Sequence, residues 1–295
     1  MKPSLLLSFL SLLVPAVAPA AEPADFAAAR ALFEANRPLE ARRAFEALAA
    51  AEPSSADVHY YLGRLALGRD EVDTAVRELE RAEALDPVSA RIHQSLGDAY
   101  GYSAMRAGIM SKFSLATKCL AEFQRASELD PGNLDTHARL LEYYSRAPWI
   151  AGGGDDKARA EAAKIEALDP RRGHEAYAAL YLADGEYDLA LAELDGALKT
   201  APDDYVALYQ VGQLAAVSGQ HLDRGLASLR HCLKIKAPQG APSHSAAQWR
   251  LGNILEKKGD PAGARVAYEA ALKLNPKYKP ASDALTKLGP ANAGG

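Results

Sequence analysis

The feature that most restricts the folds open to this chain is a unit that recurs from Glu22 onward and is cleanest from Ser245 to Tyr278, SAAQWRLGNILEKKGDPAGARVAYEAALKLNPKY. With Ser245 as position 1, Leu251 and Gly252 fall at 7 and 8, Leu255 at 11, Gly259 at 15, Ala264 at 20, Tyr268 at 24, Ala271 at 27 and Pro276 at 32. Positions 4, 7, 8 and 11 share one helical face and 20, 24, 27 and 28 share another, which is the spacing of two amphipathic helices of about three turns each. Gly252 and Ala264 are small and let the two axes approach. Gly259 ends the first helix, Asp260 caps the second, and Pro261 brings a φ suited to its first turn. Each unit is therefore a helical hairpin. One hairpin leaves apolar surface bare, so copies must stack.

Sliding the unit along the chain gives seven copies, at about 22–55, 56–89, 90–133, 134–170, 171–204, 205–244 and 245–278. They close on Pro53, Pro87, Pro131, Pro170, Pro202, Pro238 and Pro276. The aromatic, Leu-Gly, Ala, aromatic and Pro spacing resembles the tetratricopeptide repeat (TPR) family. The resemblance implies an all-α, right-handed α-solenoid of about seven TPR helical hairpins. Ala281, Leu285 and Leu288 predict a short C-terminal capping helix at 280–289, and 290–295 is expected to be a disordered tail. Four repeats depart from the pattern. The first has Ala28 and Ala29 in place of Leu-Gly; the third carries about ten extra residues within Gly101 to Lys118; the fourth carries about five within Ala147 to Asp156; the sixth carries one near His221. The third hairpin must have longer helices or a protruding turn. Insertions of this kind resemble those of a subset of exported bacterial members of the family.

At 295 residues, 48% apolar and 24% charged, the chain has the material for a large core and none of the marks of disorder. Its net charge is -4, which argues against nucleic acid as a partner. Met1, Lys2, the apolar run Leu5 to Val14 and the sequence Ala18-Pro19-Ala20 predict a signal peptide over 1–20, cleaved after Ala20. Pro15 interrupts the run, which falls short of the roughly 20 residues of a spanning helix. The expected location is exported, periplasmic or secreted, with no integral membrane segment left after cleavage.

Cys119 takes position 20 of the third repeat and Cys232 position 27 of the sixth. Helix layers about 8–10 Å apart separate them too widely for a disulfide, so both are expected to be buried small hydrophobes. His59, His93, His137 and His174 all stand at position 4 of consecutive repeats. Two helix layers between equivalent positions oppose a shared metal, and each ring is expected to be half buried with one nitrogen bonded; no metal ligands and no cofactor are expected. Gly152 to Lys157, GGGDDK, lacks the spacing of a phosphate loop and reads as a turn with an Asp cap. Trp149 and Ile150 are expected to tuck onto the next repeat. No Ser, Cys or His nucleophile has a base at a recognisable spacing, so the chain is expected not to be an enzyme.

Positions 5, 9 and 12 or 13 of the first helices form a stripe beside the buried one, on the concave side of a stacked array. Phe26, Arg30, Tyr60, Arg64, Tyr102, Arg146, Tyr209 and Trp249 on or near this stripe are the expected partner-binding residues, aromatic and Arg being the side chains of binding hot spots. Packing between repeats is the other reading of the same aromatics. Within the family resemblance, the best-known ligand-binding variant clamps a peptide carboxylate with Lys at 5 and Asn at 9; here Trp249 precedes Asn253, so that mechanism is not expected. The expected function is a non-catalytic protein–protein interaction scaffold of the cell envelope that binds a segment of another protein in its groove. The alternatives are an assembly factor for an envelope, secretion, pilus or cytochrome maturation complex, and an enzyme built on a solenoid.

Overall fold

The computed structural model describes residues 24–289; the expected leader and the tail lie outside the described residues. These are all-α, with seven helical hairpins and a terminal helix, and they form two compact units, one ending at Pro87 and one starting at Val88.

The first unit holds α1 (Ala24–Glu34), α2 (Pro38–Ala51), α3 (Ala56–Gly68) and α4 (Val72–Leu85). The second holds α5 (Ala90–Arg106), α6 (Ile109–Leu129), α7 (Leu134–Arg146), α8 (Asp155–Leu168), α9 (Pro170–Asp184) and α10 (Tyr187–Thr200). It continues with α11 (Tyr205–Ser218), α12 (Leu222–Cys232), α13 (His244–Lys257), α14 (Pro261–Leu274) and α15 (Lys279–Leu288). A 3-10 turn, Trp149–Ala151, precedes α8. Within the second unit each helix packs on its successor, and the first helices α7, α9, α11 and α13 also touch one another in series. They form one layer.

Local chemistry sets where the hairpins turn. Position 15 is left-handed in five repeats, at Asn36 (φ 55°), Asp70 (φ 68°), Gly185 (φ 79°), Gly219 (φ 76°) and Gly259 (φ 77°). Glycine takes this region freely, and Asn and Asp are the side chains that tolerate it best. The two repeats that lack such a residue are those with the longer insertions. In the third, the extra residues lengthen both helices, to 17 and 21 residues, around a short link at Ala107 and Gly108. In the fourth they make the Trp149 turn, where Gly152 takes φ 88°.

Each hairpin closes on an interlock of a small residue at position 8 with a large one at 24. A Cβ on Gly63 would stand 2.5 Å from Leu79 Cγ, and one on Gly97 would stand 2.6 Å from the Phe123 ring. Gly212 meets Leu229 and Gly252 meets Tyr268 in the same way. The fourth repeat reverses the sizes, with Leu141 at 8 and Ala162 at 24, which preserves the volume of the layer. Gly63→Ala is accordingly expected to cost about 1–3 kcal/mol by overpacking. Gly68→Ala, on the same helix with nothing within 4 Å of the added Cβ, should be neutral or stabilising by up to about 1 kcal/mol. Urea unfolding of the two variants checks the contrast.

Candidate functional site

The histidines at position 4 are structural ties. His59, His93 and His137 are buried, and in each the Nδ1 lies 2.6–2.7 Å from a carboxylate oxygen, of Glu78, Glu122 and Glu161 respectively. His174 makes the same bond to Glu193 at 2.7 Å but is more exposed. All four glutamates stand at position 23, so each pair joins the two helices of its own hairpin. The Nε2 of His59 lies 3.1 Å from the Pro53 carbonyl, and that of His137 lies 2.8 Å from the Pro131 carbonyl, the closing prolines of the repeats before. A carbonyl only accepts, so in each of these two rings the Nε2 is the donor towards the proline carbonyl. The expectation of a half-buried ring with one bonded nitrogen is thus corrected: three are fully buried, and two use both nitrogens. The signal was present in the sequence. Repeats without His at position 4 have Ala44, Ser228 or Ala267 at position 23, and the four with His all have Glu.

In the first unit the expected partner-binding aromatics belong to the core. Phe26 and Tyr60 are buried. Phe26 meets Phe45 edge-on at 5.7 Å, Tyr60 meets Tyr61 at 5.1 Å, and Phe45 stacks on Tyr61 at 4.8 Å. Arg64 covers this cluster from the solvent side, its guanidinium 5.7 Å from both the Phe33 and Tyr60 rings, and it donates to the Tyr60 hydroxyl at 2.8 Å. Arg30 is half exposed and faces Glu34 at 3.5 Å. The structure therefore brings Phe26, Tyr60 and Arg64 together, but as packing; the reading of Phe26 and Tyr60 as free contact faces is corrected.

In the second unit the remaining four lie on four helices. Tyr209 is buried in the α11–α13 core, a further correction. Trp249 is half buried between Tyr278, 6.2 Å away edge-on, and the Arg250 guanidinium, 4.3 Å from its ring. Tyr102 is exposed on α5, and Arg146 is exposed at the end of α7, paired with Glu142 at 2.9 Å. Trp149 and Ile150 do not tuck: they are 83% and 56% exposed. Cys119 and Cys232 are buried thiols whose pKa values burial pushes up to about 12 and about 11, which makes them unreactive.

A cleft does open on the first-helix face of this unit, about 140 Å³ in volume, between α7, α9 and α11. Ala138, Ala176 and Ala179 make the room, since small residues stand at positions 5, 6 and 9 where other repeats have larger ones. Leu141 and Ile165 supply an apolar side, and Arg172, Glu175 and Gln210 supply polar groups. Gln210 Oε1 is buried with no hydrogen-bond partner. Arg172 pairs with Asp135 at 3.0 Å. Arg171 lies between Glu175 and Asp204 and bonds both, while Asp204 also caps α11 by accepting from Val206 and Ala207. One guanidinium thus serves two carboxyls. Burial, reinforced by the Asp204 charge, pushes the Glu175 carboxyl up to about 7 despite Arg171.

This shift has a definite sign. The folded pKa lies above the ordinary carboxyl value of 4.5, so between the two the folded state holds a proton that the unfolded chain has released. The stability contributed by Glu175 is complete below about pH 4.5 and is lost as pH rises towards 7. Glu175→Gln, which cannot ionise but still offers Arg171 an acceptor, should gain on the wild type by on the order of 2–3 kcal/mol across that window and run parallel above it. Denaturant midpoints of both proteins from pH 4.5 to 8 measure the difference.

A family model described as tetratricopeptide repeat matches residues 26–90, and a second of the same description matches residues 245–278. No curated protein matches the chain. Among solved structures, a tetratricopeptide repeat protein from Parabacteroides merdae superposes with a TM-score of 0.67 at 13% identity, over 90% of this chain and 97% of that one. Yeast Tom70 superposes with a TM-score of 0.63 at 15% identity, over 85% of this chain and 51% of its own. A thermophilic TPR protein of Thermus thermophilus has a TM-score of 0.51 at 22% identity, over 71% of this chain and 97% of that one. At these identities the likeness is one of fold.

Proposed function

We propose, since the chain is a tetratricopeptide-repeat protein whose fold supports a protein–protein interaction scaffold, that it is non-catalytic and holds a segment of a partner protein in the α7–α9–α11 cleft. The observation that carries this reading is the cleft itself, where small residues on the first helices α7 and α9 open a space with an apolar side and with Arg172, Glu175 and Gln210 as its polar groups. The alanines at positions 5, 6 and 9 leave width for that segment, and Leu141 and Ile165 give its apolar side chains a surface. The leader pattern of Met1 to Ala20 supports a place in the cell envelope or outside the cell. The expected groove is thus moved from the aromatic first half of the chain to the alanine-lined middle.

The test is capture. Crosslinking pull-downs from envelope extracts, read by mass spectrometry, should recover a partner with the wild type. Ala179→Trp, which fills the cleft with an indole, should recover it more than about tenfold more weakly at unchanged helicity, as losing a hot spot of about 2 kcal/mol requires. Equal recovery by the two proteins would place the partner elsewhere.

A further inference from the structure

The long α5–α6 hairpin ends in side chains that a protein surface in water normally covers. Met105, Ile109 and Met110 are 77%, 89% and 90% exposed, with Tyr102 and Phe113 about half exposed beside them. The Trp149 turn adds Trp149 and Ile150. It is fastened to α6: the Tyr143 hydroxyl lies 2.9 Å from the Ala116 carbonyl and 2.8 Å from that of Ala151, and the turn packs against α6. Ala116 is about two helical turns, roughly 10 Å, from Ile109. The Trp149 turn is thus held on α6, the helix that Ile109 and Met110 begin.

The charge around that end has a single sign. Between Asp98 and Glu122 the chain carries Arg106, Lys112 and Lys118 and no carboxylate; the Trp149 turn itself, between Arg146, which Glu142 pairs, and Asp155, carries no charge. In a chain with 34 basic and 38 acidic residues this is a local reversal. Asp155 and Asp156 begin α8, on the far side of three glycines from Trp149. Against a second copy of the chain, the same end would meet itself and bring like charges together, which disfavours self-association. A bilayer with anionic headgroups offers what the end lacks. Ile, Met and Phe enter the boundary between headgroups and acyl chains, Trp and Tyr settle at the interface, and Lys and Arg reach the phosphates on long stems.

We propose that the α5–α6 end together with the Trp149 turn is a peripheral docking surface for anionic lipid bilayers. It lies on the membrane and does not span it: no described helix is long and apolar enough to cross. The surface is distinct from the α7–α9–α11 cleft, so it stands or falls independently of the partner proposed there.

The test uses the purified protein and two kinds of vesicle, phosphatidylcholine alone and phosphatidylcholine mixed with phosphatidylglycerol. Trp149 and Trp249 are the two tryptophans of the chain, so Trp249→Phe leaves Trp149 as the sole reporter. Co-sedimentation with the mixed vesicles, a blue shift of Trp149 emission on binding, and weakening in high salt are expected. The double variant Ile109→Asp, Met110→Asp should bind the mixed vesicles at least about tenfold more weakly with unchanged circular dichroism. No binding to either vesicle, binding untouched by the double variant, or a dimer in solution that the double variant dissolves would each overturn the proposal; the last would assign the surface to a second copy.

Discussion

Replacing Glu161 with alanine is expected to destabilise the second unit by about 1–3 kcal/mol, the cost of leaving a buried hydrogen-bonding group without its partner. The His137 and Glu161 side chains are 3% and 6% exposed, and the carboxylate accepts from His137 Nδ1 at 2.7 Å and from Lys164 at 2.8 Å. The other ring nitrogen already faces the Pro131 carbonyl at 2.8 Å. Without Glu161 the Nδ1 of this buried ring loses its carboxylate partner. Glu161→Gln keeps an oxygen in place and should cost less. The same truncation at the exposed pair, Glu193→Ala, should cost no more than about 1 kcal/mol. Urea unfolding by circular dichroism separates the three, and a Glu161→Ala protein within 1 kcal/mol of wild type would show that the tie contributes little.

The second large effect lies in the first unit. Phe45 is fully buried, stacked on Tyr61 at 4.8 Å and edge-on to Phe26 at 5.7 Å. Phe45→Ala removes the centre of that cluster and should cost about 3–5 kcal/mol, transfer and cavity together. Tyr60→Ala acts on the same cluster and also frees the Arg64 guanidinium from its hydroxyl. It is therefore expected to lower the melting temperature of this unit and to leave partner capture per folded molecule unchanged. Loss of capture by Tyr60→Ala at wild-type stability would restore this face as a binding surface.

The repeat was legible because its constraints are local. A helical period and a small residue facing a large one at 8 and 24 each act within one hairpin, as does the left-handed residue at position 15 of five repeats, so one aligned chain displays them repeatedly. Even the reversal at Leu141 and Ala162 follows from reading the two positions as a pair. The His–Glu tie is equally local, and it shows when position 4 is taken together with position 23 of the same hairpin. Position 5 was harder. It lies about 100° around the helix from position 4, at the edge of the buried face, and its exposure depends on what the next hairpin places over it. For Phe26 that is Tyr61; for Ala138 it is open space at the cleft. Trp149 shows the opposite limit. Its size argued for burial, yet the turn that holds it is fixed through Tyr143 and the backbone, with the indole left outside.

Occupation of the α7–α9–α11 cleft by a partner segment, as proposed, is tested most directly by photocrosslinking from single sites. A photoreactive amino acid placed at Ala179 is compared with one at Val266, which is exposed on the second helix α14. Irradiation in intact cells should give a discrete adduct from position 179 and none from 266, and the adduct from 179 should fade when the cleft is narrowed by Ala138→Trp. Adducts of the same protein from both positions, or from 266 alone, would contradict the account.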